Sequence, residues 1–261
     1  MSEDPFRSAE SYYADYRPPY GDRALDHVVE RFGLGADSRA LDLGCGAGQI
    51  AIPLAERVGN VVGMDPNEAM FEGARERARA AGLTNVEWVK GSDADLRGPL
   101  GDDLGPFDAV TMGRSFHWMD RGPTLDRLRE VTATGGGVAI FGDTEWLTSG
   151  ERAWQDEVYD CAASYLDDLP DRTGPRTEPY QNPYDEMLAD HGFVDVEEVT
   201  YERTIEEVVG YVFSLSFCSP ATLGEETEAF EADLRDRLDA LGGGPFEQDD
   251  EVQVISGRPS A

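Results

Sequence analysis

Residues 41–48 read Leu41-Asp42-Leu43-Gly44-Cys45-Gly46-Ala47-Gly48, and this stretch decides the fold. The run 40–43 reads as a buried strand and residues 50–58 read as a helix. Between them, glycines alternate, so backbone can approach a ligand with no Cβ in the way. Working outward, strands and helices alternate. Residues 60–64 read as a strand ending in Asp65, and 67–81 as an Ala/Arg/Glu helix stopped by Gly82. Residues 86–90 form the next strand, followed by an acidic turn at 92–95. A strand at 107–112, a helix at 124–132 and a strand at 137–141 complete the series. Upstream, Leu25, Val28, Val29 and Phe32 make a helical stripe, ended by Gly33 and Gly35. Such alternation implies right-handed crossovers and a mostly parallel sheet with helices on both faces.

After Gly142 the pattern changes. Helical spacing covers 154–169, then a proline-rich loop spans 170–183 and a short helix 184–190. A strand is expected at 193–201, helices at 205–217 and 225–241, and a sharp break at Gly242-Gly243-Gly244-Pro245. A last short strand falls at 252–255, before a loose tail. The fold expected is α/β: a doubly wound, Rossmann-like, mostly parallel seven-stranded sheet with helices on both faces and a helical cap. Four parts follow: a lid and first helices at 1–36, a ligand-binding core at 37–145, a helical substrate region at 146–192, and C-terminal elements at 193–261 completing sheet and cap.

The charge narrows the partners. The 261 residues carry 22 Lys+Arg against 53 Asp+Glu, a formal net charge of −31. A polyanion must be met by a basic patch, which argues against nucleic acid as a partner. Docking on anionic lipid is disfavoured likewise. No apolar run approaches a membrane span, and residues 1–10 are polar and acidic, unlike a secretory signal. Lys90 is the only lysine. Arginine preference alone would follow from a GC-rich genome, but the acid excess would not. It points to the cytoplasm of a salt-accumulating halophile, where the Debye length shrinks to about 3 Å at 1 M salt. Cys45, Cys161 and Cys218 are odd in number, with no metal-ligand spacing, and read as free thiols in a reducing compartment. No metal site is expected.

The glycine corner and Asp65 together point to a nucleoside-containing ligand at the carboxyl ends of the strands, the aspartate accepting from a ribose diol. A tight turn beside a surface aspartate is the plain alternative. The spacing is GxGxG, whereas a dinucleotide fold has GxGxxG with its pyrophosphate on the helix N-terminus. Asp42 lies two residues before the first glycine. An acid there suits a ligand with an ammonium and a sulfonium, and disfavours a pyrophosphate.

With "LDLGCGAGQ", "VVGMDPNEAM", "VEWVKGSDADL" and "FDAVTMGRSFHWMD", the chain resembles the class I S-adenosylmethionine-dependent methyltransferases. The match is strong over 37–143. "SFHWMD" and "YYADYRPPY" are similar to the branch holding trans-aconitate-methyltransferase-like enzymes. The resemblance implies S-adenosylmethionine as cofactor, S-adenosylhomocysteine as product, and roles by position. Gly44, Cys45, Gly46 and Gly48 would line its methionine and ribose portion. Asp42 would face the ammonium, directly or through water. Asp65 would take the ribose hydroxyls, with Pro66 and Met70 beside the adenine. Ser92, Asp93 and Ala94 would hold the adenine edge. Relatives often carry Gly-Asp/Ser-Ala-Glu there, so either Asp93 or Asp95 could reach the exocyclic amine. Gly113, Arg114 and Ser115 would lie beside the transferable methyl.

His117 is a candidate base for an acceptor hydroxyl, or a locally packed ring. Trp118 reads as a pocket wall or core residue. Tyr12, Tyr13, Tyr16 and Arg17 form a cluster that in the resembled family folds over the cofactor. Tyr13 would then touch the acceptor, and Arg17 would pair with the methionine carboxylate. An N-terminal helix packed on the sheet is equally compatible. His27, within a helical stripe, and His191, at a helix end, read as structural. Aromatic residues at 146–184 and 211–217 would cover a small, partly apolar acceptor, or simply fill helix packing. Three readings of function follow: a methyltransferase acting on a small molecule by in-line displacement, a non-catalytic S-adenosylmethionine-binding module, and a dinucleotide-dependent oxidoreductase. No signal of oligomeric state is present.

Overall fold

The computed structural model describes residues 12, 15–143, 146–150, 152–172 and 192–258. They divide between two compact units. A sheet unit comprises 19–143, 192–197 and 251–258; a helical unit comprises the described residues of 12–18, 146–172 and 198–250.

Among the described residues the sheet has seven strands, in the order β3-β2-β1-β4-β5-β7-β6. They are β1 (Arg39–Leu43), β2 (Asn60–Asp65), β3 (Val86–Lys90), β4 (Phe107–Gly113), β5 (Thr132–Asp143), β6 (Gly192–Arg203) and β7 (Phe246–Gly257). β1 is central: residues 40–43 are all buried, as a strand covered on both faces requires. It runs parallel to β2, Leu43 opposite Met64, and to β4, Asp42 opposite Thr111. β2–β3 and β4–β5 are also parallel, whereas β7 runs antiparallel to β5. A dinucleotide fold orders its strands 3-2-1-4-5-6. Here β7 stands between β5 and β6.

Helices follow the apolar stripes. α1 (Asp22–Phe32) turns Ala24, Leu25 and Val28 inward. Gly33, at φ +68°, ends it, with Gly33 N and Leu34 N donating to Glu30 O and Val29 O. α2 (Ala51–Ala55) is shorter than its apolar run, and α3 (Met70–Ala80) begins later than expected. The stretch expected as an acidic turn is instead a short helix, α4 (Asp93–Leu96), with a Ser92–Asp95 capping box. α5 (Pro99–Leu104), with Pro99 in its first turn, lies where the sequence pattern marked no element. α6 (Arg121–Val131) leads directly into β5. His27 is structural, its Nε2 3.2 Å from Ser256 Oγ.

In the helical unit, α7 (Trp146–Ser149) precedes α8 (Ala153–Ala163), which stops six residues before Leu169. α9 (Ile205–Phe213) starts at a Thr204–Glu207 capping box. α10 (Pro220–Leu223) and one 3₁₀ turn precede α11 (Thr227–Ala240), which falls within the run expected at 225–241. The core of the unit joins Trp154, Val158, Tyr211, Phe213, Phe230 and Leu234. Tyr211 and Phe213, candidates for a pocket cover, are fully buried packing residues. A Cβ on Gly210 would meet Tyr16 Cδ2 at 2.3 Å, so the Tyr16 ring lies on α9. The expected helix at 184–190 lies outside the described residues. All three cysteines are buried and none is in a disulfide. No described helix is long and apolar enough to cross a membrane.

Candidate functional site

The site residues gather where β1, β2 and β4 end. Gly44 N and Cys45 N both donate to Met64 O, at 2.7 and 3.0 Å, turning the chain sharply off β1. Gly44, Gly46 and Gly48 have φ of +74°, +49° and +82°, a region that costs L side chains about 1–2 kcal/mol. Space matters as well as angle. A Cβ on Gly44 would meet Ser115 Cβ at 2.4 Å, and one on Gly48 would meet Trp88 Cη2 at 2.7 Å. Ser115 Oγ donates to Leu43 O at 2.8 Å, fastening the loop after β4 to the end of β1.

Two aspartates hold this corner. Asp65 Oδ2 accepts from Gly46 N at 2.8 Å, and Oδ1 accepts from Asn67 N at 2.8 Å. Asp65 is half-buried at the end of β2. Asp42 is buried beneath the corner. Its Oδ2 accepts from Ala51 N at 3.0 Å and its Oδ1 from Thr111 Oγ1 at 2.9 Å. Burial, above all, pushes its pKa up to about 7; the Asp65 charge adds to this and the two hydrogen bonds oppose it. Cys45 is buried beside it, its thiol raised well above the ordinary value, chiefly by desolvation.

Ser92 and Asp95 cap each other, Asp95 Oδ2 accepting from Ser92 N and Oγ at 2.9 Å each. Asp93 Oδ2 accepts from Arg97 Nη1, Thr124 Oγ1 and Asp120 N at 3.0–3.2 Å. Both carboxylates therefore also brace the loop. Ala94 and Pro66 are exposed, and Met70 is buried at the start of α3.

At the end of β4, Gly113 packs so closely that a Cβ would meet Tyr20 Oη at 2.7 Å. Arg114 has φ +52°, which among the described residues no other non-glycine shares as a positive value. That geometry lays its guanidinium over the Tyr20 ring at 4.5 Å and brings Nη1 to Gln49 Oε1 at 3.3 Å. His117 and Trp118 follow on a 3₁₀ turn, ring centroids 5.0 Å apart, both exposed. At 54% exposure Trp118 is not a core residue, which corrects half of its sequence reading.

Arg17 belongs to the helical unit, its guanidinium 5.0 Å from the Tyr211 ring centroid. Tyr13 lies outside the described residues. Sequence reasoning missed Thr111, Tyr20 and Gln49. Thr111 alone left a signal, a polar residue inside the apolar run 109–112. Among the described residues, no group of His, Cys, Asp and Glu has the makings of a metal site.

A family model described as a methyltransferase domain matches residues 40–136, from β1 into β5. The demethylmenaquinone methyltransferase of Geobacillus kaustophilus is 30% identical over 189 residues, 67% of this chain and 79% of that protein. The chain belongs to the class I S-adenosylmethionine-dependent methyltransferases. An uncharacterized methyltransferase of Mycobacterium bovis is 28% identical across 85% of this methyltransferase and 82% of its own length. In fold, it is similar to an S-adenosylmethionine-dependent methyltransferase from Thiobacillus denitrificans, solved with S-adenosyl-L-homocysteine. That likeness has a TM-score of 0.52 and 17% identity, over 98% of each chain. The dinucleotide reading falls with these matches, in keeping with the GxGxG spacing and the seventh strand.

The cofactor is S-adenosylmethionine, and the residues present fit it. Asp65 offers paired acceptor oxygens suited to a diol. The glycine corner exposes backbone instead of side chains. The Asp65 charge, which disfavours the charged form of nearby Asp42, suits a positively charged ligand.

Proposed function

We propose that this methyltransferase transfers a methyl group to a small, flat, partly apolar acceptor. The observation that carries this reading is the exposed His117–Trp118 pair, directly after the Gly113-Arg114-Ser115 turn that closes on the glycine corner. A large exposed indole beside a site is suited to stacking on a planar ring. The Geobacillus relative is named for demethylmenaquinone, whose quinone head is flat and partly apolar.

When bound, S-adenosylmethionine supplies a methyl on a positively charged sulfur. Asp65 would hold the ribose hydroxyls, and Gly44, Cys45, Gly46 and Gly48 would line the methionine and ribose portion. Asp42, beneath them, supports the corner through Ala51 and Thr111. Pro66, Met70, Ser92, Asp93 and Ala94 would surround the adenine. Gly113, Arg114 and Ser115 would flank the reacting group. His117 would accept the proton an acceptor hydroxyl loses, with Trp118 and Tyr13 positioning the acceptor. Most of the acceleration would come from alignment and exclusion of water. Arg17 would meet the methionine carboxylate. The acidic surface and the buried cysteines, none of them in a disulfide, support a cytoplasmic setting without nucleic-acid substrates.

The test supplies S-adenosylmethionine with a labelled methyl, a panel of naphthoquinols and catechols, and bulk RNA. Label in the organic extract supports the reading. Label in RNA would sink the acceptor assignment, and cofactor binding without transfer to any acceptor would favour the non-catalytic module.

A further inference from the structure

Within the sheet unit, one carboxylate joins two loops that stand on opposite sides of the reaction. α6 opens at Asp120, whose own side chain makes no capping bond. The third helical position, where a capping box has its acid, is Pro123. Asp93, from the loop after β3, takes that part instead: its Oδ2 accepts from Asp120 N at 3.2 Å. A negative charge at a helix N-terminus is favourable. The same oxygen accepts from Thr124 Oγ1 and Arg97 Nη1, at 3.0 Å each. A carboxylate only accepts, so the fully buried Thr124 hydroxyl must spend its proton there. The Arg97 bond is charge-assisted and the stronger for it.

The chain between Ser115 and Asp120 is thereby held at both ends. At its start, Ser115 Oγ donates to Leu43 O at 2.8 Å, and Phe116 is 1% exposed. Toward its end, a Cβ on Gly44 would meet Met119 Cε at 3.5 Å, and Asp120 N rests on Asp93. His117 and Trp118 stand exposed between these anchors. The near anchor is the glycine corner. The far anchor is the loop of Ser92, Asp93 and Ala94.

We infer that Asp93 is a positioning residue for the His117–Trp118 turn, through which adenine against its loop sets where the acceptor side stands. The coupling rests on the proposed function, which puts adenine at 92–94 and the acceptor at Trp118. Ligands that share one braced element help each other bind, and the help is reciprocal. Cofactor and acceptor are then cooperative, although neither need touch the other's loop.

The experiment labels the full chain with fluorotryptophan and reads Trp118 by fluorine NMR, its resonance assigned by Trp118→Phe. Trp154, buried in the helical unit, is the control. Thr124→Val removes one donor to Asp93 and Thr124→Ser keeps it. Arg97→Met removes a second donor from a partly exposed side chain, so the test does not hang on a buried substitution. Adenosine, which lacks the methionine part, and S-adenosylhomocysteine are titrated into each protein, with affinity taken from calorimetry. Without ligand, Thr124→Val and Arg97→Met are expected to shift the Trp118 resonance and Thr124→Ser to leave it in its wild-type position. Adenosine is expected to shift Trp118 in the wild type and Thr124→Ser. In Thr124→Val and Arg97→Met that shift is lost, with adenosine affinity within about twofold of wild type. A Trp118 resonance indifferent to both substitutions, or an adenosine shift that survives them in full, overturns the inference. So does an equal shift of Trp154, which would mean a general loss of structure. If the ligand-free shifts appear and neither ligand binds, Asp93 keeps its positioning role and it is the proposed function that fails, with the coupling built on it.

Discussion

Asp42 is an acid buried for its geometry at a cost in charge. Its carboxyl has a pKa of about 7 in the folded chain against an ordinary 3.8. Between those values the native state keeps a proton that the unfolded chain releases, so stability falls as pH rises through this window. Asp42→Asn removes the titration. Its amide can still accept from Ala51 N and donate to Thr111 Oγ1 in reverse. Relative to wild type, the variant is expected to gain on the order of 3 kcal/mol between pH 4 and pH 8. Urea unfolding at the two pH values reads this directly; parallel profiles would mean Asp42 is charged throughout. At the acceptor side, Trp118 is exposed enough for Trp118→Ala to leave the fold intact. KM for a planar acceptor is expected to rise severalfold, with cofactor affinity unchanged. An unchanged KM would remove the indole from acceptor binding.

At the scale of elements, the corner between β1 and α2 is set by fit as much as by backbone angle. Gly44→Ala places a methyl 2.4 Å from Ser115 Cβ at a φ of +74°. The expected loss is about 1–3 kcal/mol, with weakened cofactor binding. Ser115→Gly in the same chain should restore part of it; no restoration would assign the whole cost to backbone strain. The strands β1 to β4 were legible because each is a short apolar run bounded by polar or glycine residues. β7 was read far too short. Glu247, Asp249, Asp250 and Glu251 hide the strand, and Gln248 is buried within it. Its extent comes from tertiary context, β5 among it, not from its own alternation. α5 was hidden by two glycines and a proline that locally favour turns. The candidate site was legible where it rests on motif spacing, as at Gly44 to Gly48 and Asp65. It was not legible where it rests on register or strain. Nothing local marks Arg114 for a positive φ, and only the β1–β4 ladder sets Thr111 opposite Asp42.

At the scale of the whole molecule, charge dominates. With 53 acids against 22 arginine and lysine side chains, most carboxylates cannot be paired. Arginines are shared, as where Arg57 meets both Asp22 and Asp26 at 2.6 and 2.8 Å. Salt weakens such surface pairs, each worth about 0–1 kcal/mol, but it also screens the far larger self-repulsion. The melting temperature is therefore expected to rise from dilute buffer to molar KCl. A fall would mean that the pairs outweigh the repulsion. The sheet order places β7 between β5 and β6, an arrangement no pattern along the chain announces. The central claim is that the corner closed by Gly46 and Asp65 is an S-adenosylmethionine site. Calorimetry on the wild type and Asp65→Ala, with S-adenosylmethionine and NADH as ligands, tests it most directly. Micromolar binding of S-adenosylmethionine alone, weakened at least about tenfold by the substitution, is the expected result. Binding of NADH in its place, or S-adenosylmethionine affinity indifferent to the loss of Asp65, would contradict it.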